Sequence, residues 1–234
     1  MILFVKVNFN SDNLYNCNII KTPSFSQIAN DGKTNMEIDL RMLNFAIENK
    51  IEYILVRFYQ WYPKCISLGR NQKSDCCNDF GIDVVKRPTG GRALLHDKEL
   101  TYCFVSPILN NNIIKSYKEI SNALILGFEK LGIELSYGSC EFENLSYCMN
   151  ISTKADVSYQ NKKFIGSAQY RRQGYLLQHG SIPYSLDYDL IDKIFNQKTK
   201  KENIITLNEI NPNLSTSQII NALKEGFVEY FSGI

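Results

Sequence analysis

Apolar residues along the chain recur with two different periods, and the switch between them places the elements. Met36, Leu40, Leu43 and Ile47 follow at helical spacing as far as Asn49-Lys50, and Thr34-x-x-Glu37 reads as their capping box. Tyr117, Ile120, Leu124, Phe128 and Leu131 mark a second long helix that stops at Gly132. Ser215-x-x-Gln218 heads a last one, with Ile219, Leu223, Phe227 and Tyr230 or Phe231 facing inward, and Tyr188, Ile191 and Phe195 indicate a short helix before it. Strands are expected at Ile51 to Phe58 and Cys65 to Leu68, with Tyr62-Pro63 breaking the run between them, and again at Ile82 to Lys86 and Thr101 to Ser106. From Asp156 to Tyr184 short strands reverse at Gln160-Asn161 and near Gly174, so that half is antiparallel. Clusters of strands punctuated by separate helices predict an α+β fold rather than a doubly wound one. The stretch from Tyr137 to Ser152, rich in Ser, Asn and Glu, is the most lid-like segment.

Length and composition narrow the picture. With 234 residues, 44% of them hydrophobic, the chain can bury a substantial core and is best read as one domain. A formal net charge of +2 gives no general case for nucleic-acid or membrane binding. The start, Met1 to Val7, lacks the pattern of a signal peptide, and no apolar run reaches membrane-spanning length. Seven cysteines, at 17, 65, 76, 77, 103, 140 and 148, are odd in number and contain no CxxC pair. A disulfide framework or structural metal site is therefore not expected, and a reducing cytoplasm is the natural setting.

Candidate chemistry concentrates in three segments: Arg87-Pro88-Thr89-Gly90-Gly91-Arg92-Ala93-Leu94-Leu95-His96-Asp97, Gly166 to Gly174, and Leu177 to Ile182. Adjacent glycines let main chain approach a bound group, and arginine offers a planar charged fork beside it. Together they describe backbone laid against an anionic or acyl ligand, but the first segment is neither a P-loop nor a dinucleotide-binding glycine pattern, so taken alone its ligand is unknown. His96 and His179, the two histidines of the chain, both fall inside these segments and are expected to bind or orient. Of the neighbours Lys162 and Lys163 only one should point inward, because successive strand residues face opposite ways. Arg171-Arg172 reads as a solvated hairpin end that would also suit an acidic carrier protein. Cys65 and Cys103, between apolar neighbours in expected strands, read as small buried hydrophobes, and Cys76-Cys77 as an exposed turn.

Taken with Thr34-Asn35-Met36-Glu37-Ile38-Asp39, the run from Trp61 to Gly69, and Lys163, these segments resemble the biotin/lipoate cofactor transferases in order and spacing. RPTGGRALLHD followed by GSAQ and QHGSI is most similar to the cysteine-dependent octanoyltransferases of that family, rather than to its ATP-using ligases. The resemblance runs from about Thr34 to the C-terminus. It implies a biotin/lipoate ligase-type catalytic domain over residues 1–234 without a separate accessory domain, an absence that favours transfer over ligation. The implied fold is a mixed, mainly antiparallel sheet packed with helices, of the class II aminoacyl-tRNA synthetase and biotin synthetase-like type.

The resemblance further implies octanoyl transfer from octanoyl-acyl carrier protein, through a cysteine thioester, to a lysine of a lipoyl domain. The glycine cleavage H protein or the E2 chain of a 2-oxoacid dehydrogenase would be such an acceptor, and no cofactor or metal is required. Cys148 stands where that branch has its nucleophile, with Cys140 on the same polar loop as its rival. Lys163, ahead of Phe164-Ile165-Gly166 like the family's motif lysine, would pair with the thiolate and move protons. Arg87, Thr89, Gly90, Gly91, Arg92, Ala93 and His96 would line the substrate from one side. Gly166, Ser167, Ala168 and Gln169, with His179, Gly180 and Ser181, would line it from the other, the 166–168 backbone supplying oxyanion donors. Three alternatives stand beside this. An ATP-dependent lipoate or biotin ligase would use Arg87, Gly90-Gly91 and Lys163 on phosphate and carboxylate, a lipoyl amidotransferase would use the same thioester, and a carrier-protein binding module would need no nucleophile.

Overall fold

The computed structural model describes residues 2–7, 17–21, 29–73, 80–138 and 156–232. In chain order the strands are β1 (Ile2–Val7), β2 (Cys17–Lys21), β3 (Ala29–Asn30), β4 (Ile54–Trp61), β5 (Cys65–Leu68) and β6 (Asp83–Lys86). They continue with β7 (Leu94–His96), β8 (Glu99–Pro107), β9 (Ser136–Tyr137), β10 (Val157–Tyr159), β11 (Lys162–Arg172) and β12 (Tyr175–Pro183). The helices are α1 (Gly32–Glu48), α2 (Ile113–Glu129), α3 (Tyr188–Phe195), α4 (Leu207–Ile210) and α5 (Thr216–Ser232). A large sheet runs β2-β1-β4-β8-β12-β11-β10-β9, antiparallel throughout, with β3 added in parallel at the end of β4. A small sheet, β6-β5-β7, has one parallel and one antiparallel pair. This is the mixed, mainly antiparallel α+β architecture the sequence predicts.

Strand alternation divides the core. Ile54, Val56 and Phe58 of β4, with Leu100, Tyr102 and Phe104 of β8, pack against Ile120, Leu124 and Phe128 of α2 and Leu223 and Phe227 of α5. Leu55, Tyr59 and Trp61, with Cys103 and Val105, face the other way onto Met36, Met42, Leu43 and Ala46 of α1. The small sheet has its own core of Ile66, Leu68 and Leu95 against Ile191, Ile194 and Phe195 of α3. Both reversals in the C-terminal half fall where expected. Gln160-Asn161 and Gln173-Gly174 each place two successive residues at positive φ, the conformation that joins twisted strands by two-residue turns. The flanking strands β11 and β12 are long rather than short. Ser215 and Gln218 form the expected reciprocal cap of α5, with main-chain to side-chain distances of 3.0 and 3.3 Å.

Two expectations for α1 need correcting. Its cap is Asp31, whose carboxylate accepts from the Thr34 main-chain N–H at 2.9 Å and from the Thr34 hydroxyl at 2.7 Å. A carboxylate is the stronger acceptor near the positive end of a helix, so Thr34 becomes a donor inside the first turn. The inward stripe is also rotated: Asp39 is fully buried whereas Leu40 is 37% exposed. Among the described residues no helix is long and apolar enough to cross a membrane.

Candidate active site

The small sheet delivers the glycine turn to the middle of the large one, at β12. Arg87 leaves β6 buried, and its guanidinium makes five hydrogen bonds to described residues, one for each N–H it owns. Nε and Nη2 reach the Gly90 carbonyl at 3.2 and 2.8 Å, and Nη2 also reaches the Arg92 carbonyl at 2.7 Å. Nη1 donates to the Ser67 carbonyl at 3.0 Å and its hydroxyl at 3.1 Å. Arg87 is therefore the internal brace of the Gly90-Gly91 turn. Gly91 takes φ +91°, and a Cβ placed on Gly69 would lie 1.9 Å from the Gly91 carbonyl oxygen, so only glycine fits there.

Two hydroxyl–imidazole–carboxylate chains clasp this turn to the large sheet. In the first, Thr89 Oγ1 lies 2.7 Å from His179 Nε2, and His179 Nδ1 lies 3.1 Å from Asp39 Oδ2. Burial pushes the His179 imidazole below its ordinary value, against the pull of Asp39, so the ring is neutral at neutral pH. Nδ1–H then donates to Asp39, and Nε2 accepts from Thr89. Asp39 also accepts from Arg57 at 2.9 Å and Tyr59 at 2.8 Å. Burial works to raise the Asp39 pKa, but the His179 hydrogen bond and the Arg57 charge outweigh it and hold the carboxyl below the usual range. In the second chain, Ser67 Oγ lies 2.7 Å from His96 Nε2 and His96 Nδ1 lies 2.8 Å from Glu99 Oε1. Glu99 further accepts from Thr101 at 2.5 Å and Ser181 at 2.6 Å, and Trp61 donates to Thr101 at 2.8 Å. The Trp61 indole stacks on His96 with centroids 3.8 Å apart. Burial opposes the Glu99 charge too, and His96 with the two hydroxyls reverses it, leaving the pKa lowered.

Between these clasps lies a narrow slot, partly open to solvent. Of the residues singled out from sequence, Arg87, His96, Gly166, Ser167, Ala168, His179, Gly180 and Ser181 line it. Met36, Tyr59, Trp61, Ser67, Leu94 and Thr101 complete the described wall. Thr89 stands behind His179, while Gly90 and Arg92 serve the Arg87 brace, so the turn acts mainly through its shape. Gly180 is held by space, because a Cβ would meet Tyr102 at 2.5 Å and Ser167 Oγ at 2.7 Å. Ala93 belongs to the small-sheet core, and Gln169 pairs across the strands with Gln178 at 3.0 Å.

Of the two neighbouring lysines, Lys163 is buried and Lys162 is exposed. Lys163 Nζ sits 3.1 Å from Asp156 Oδ2 in a buried ion pair. It precedes Gly166 by three residues on β11, about 10 Å along the strand. Cys65 and Cys103 are buried free thiols, and burial pushes Cys65 up to about 12 and Cys103 well above its ordinary value, so neither offers a thiolate at neutral pH. Cys148, its rival Cys140 and the Cys76-Cys77 turn lie outside the described residues, as does most of the stretch read as lid-like.

Comparison with known proteins now decides the family. The family described as the lipoyl protein ligase A/B catalytic domain matches residues 31–228. The chain belongs to this family. Within it, the chain is 39% identical over 183 residues to an octanoyltransferase, LipM, of Carboxydothermus hydrogenoformans, covering 73% of this chain and 68% of that one. A lipoate-protein ligase A crystallised with ATP shares the fold at TM-score 0.70 and 23% identity, over 87% of this chain and 83% of that one. A bipartite lipoate protein ligase studied with its E2 lipoyl domain, from Thermoplasma acidophilum, gives TM-score 0.66 and 22% identity over 87% and 81%.

Sequence reasoning missed Arg57, Glu99 and Asp156, and quoted Met36, Asp39, Trp61 and Ser67 inside segments of the resemblance without giving them a role at the site. Two carried a usable signal. Arg57 is a lone charge inside the apolar strand Ile54–Trp61, and Asp39 stands three residues after Met36 and four before Leu43, on the stripe α1 buries. A charge at each of two buried positions asks for a partner, and the two partner each other.

Proposed function

We propose that this protein is an octanoyltransferase, moving an octanoyl group from a carrier-bound thioester to a lysine amine of a lipoyl domain, by way of Cys148 and without nucleotide. The observation that carries the reading is the state of the slot's polar atoms. Ser67, His96, Thr101, His179 and Ser181 hydrogen-bond into the two clasps, and Arg87 is spent on its own turn. A saturated hydrocarbon asks nothing of such a wall. Among the described residues, a biotin ureido group would find these side-chain donors and acceptors already committed. The likeness to a curated octanoyltransferase over 73% of the chain supports the same conclusion.

In this reading the Cys148 thiolate attacks the thioester carbonyl, the carbon–sulfur bond to the carrier breaks, and the departing carrier thiolate takes a proton from Lys163. The acceptor lysine amine then attacks the enzyme thioester, its surplus proton returns to Lys163, and Cys148 leaves as the thiolate. One proton is given and one regained, and thioester to amide runs downhill without ATP. β11 pairs with β10 as far as Ile165 and from Gly166 onward with β12, so among the described residues alternate main-chain N–H groups past Ile165 have no strand partner and would serve the oxyanion. The donor in this account is octanoyl-acyl carrier protein, the acceptor a lipoyl domain such as the H protein or an E2 chain, and the setting the cytoplasm. One catalytic domain carries all of it.

The covalent relay is checked by intact mass after incubation with octanoyl-acyl carrier protein. The expected result is a gain of one octanoyl group, labile to hydroxylamine, lost in Cys148→Ser and formed more slowly in Lys163→Ala. Retention of the adduct in Cys148→Ser would move the nucleophile elsewhere, with Cys140 the first alternative.

A further inference from the structure

Met36 stands between two cavities. Its side chain, 7% exposed, forms part of the inner slot and also of an open groove between α1 and β6. Arg87 is the other residue common to both, and its five hydrogen bonds fix it in place. Met36 has no such tether. A thioether on three rotatable bonds is the adaptable element of this shared wall. Beyond it the groove continues over Leu40, one helical turn along α1 and 37% exposed, to Val84, 47% exposed on β6. Leu40 and Val84 thus offer apolar surface on the far side of Met36, in a groove whose rim carries Lys33, Glu37, Asp83 and Lys86.

We infer that Met36 sets the acyl-chain length this protein accepts, by plugging the slot against the groove. The inference rests on the octanoyl-transfer reading above and names the specificity of that site. Shortening Met36 joins the cavities, and a longer hydrocarbon then threads past residue 36 onto Leu40 and Val84. Enlarging it shortens the slot.

The test compares kcat/KM for hexanoyl, octanoyl, decanoyl and dodecanoyl carrier-protein thioesters, with a lipoyl domain as acceptor. Met36→Ala should raise the ratio of dodecanoyl to octanoyl transfer by about tenfold or more, and Met36→Phe should move the optimum toward hexanoyl. Adding Val84→Asp to Met36→Ala should remove the gain, since the charge lies on the track the longer chain would use. Should Met36→Ala fail to fold, Met36→Val shortens the same side chain and carries the same expectation. An unchanged chain-length profile in a Met36 variant that still transfers octanoate would overturn the inference. Absence of octanoyl transfer by the unaltered protein would instead overturn the reading on which it rests.

Discussion

At the scale of single residues, the site depends on charges kept out of water in matched pairs. Neutralising one member of a buried ion pair removes the favourable charge term of the other, so Asp156→Asn should destabilise the fold by a few kcal/mol, about 3–5 at most, through Lys163. Replacing both, as Asp156→Leu with Lys163→Met, should recover much of that in urea unfolding while acyl-enzyme formation stays impaired. Recovery of activity along with stability would show that Lys163 serves the fold alone. His179 sets a second expectation. The unfolded chain binds a proton there near 6.5, and the folded protein only at lower pH, so stability falls as pH drops through that value. Asp39 and Glu99, held below their ordinary 3.8 and 4.5, add losses at more acid pH. In a urea series across pH, His179→Gln should flatten the first loss, reduce the Asp39 share of the second and leave the Glu99 share. Persistence of the whole profile would assign the acid sensitivity to other groups.

At the scale of elements, the periodicities were legible wherever a local pattern sufficed. The turns at Gln160-Asn161 and Gln173-Gly174, the α5 cap and the inward stripes of α2 and α5 needed nothing but neighbouring residues. α1 was harder because its cap competes with a second good candidate, and because its stripe contains an acid whose partner, Arg57, is 18 residues away. Asp31→Ala should cost about 1 kcal/mol in chemical denaturation and Thr34→Ala less, the order reversing if Thr34 were the cap. The N-terminal pair β1 and β2 lay outside the periodic stretches recognised from sequence. Gly69→Ala tests how the two sheets meet. Its methyl would collide with the Gly91 carbonyl, so the turn must shift, and octanoyl transfer should fall by more than stability does.

At the scale of the whole molecule, three motifs far apart in sequence identified the family and marked both walls of the slot, because each keeps its own local spelling. What they did not disclose is which side chains touch the acyl chain and which hold the wall. Arg87 looked like an anion fork and is a brace. Thr89 looked like a lining residue and stands behind His179, which meets Asp39 across 140 positions. Such pairings follow from sheet order, which no single segment encodes. The two clasps join α1, both sheets and the glycine turn into one frame around an apolar slot, and that frame is what the proposed chemistry needs. The most direct measurement of the account is octanoyl amide formation on an unmodified lipoyl domain, with octanoyl-acyl carrier protein as donor and every nucleotide removed by apyrase. Full modification of the acceptor lysine is expected under these conditions. Modification that appears only when ATP and a free acid are supplied would contradict it.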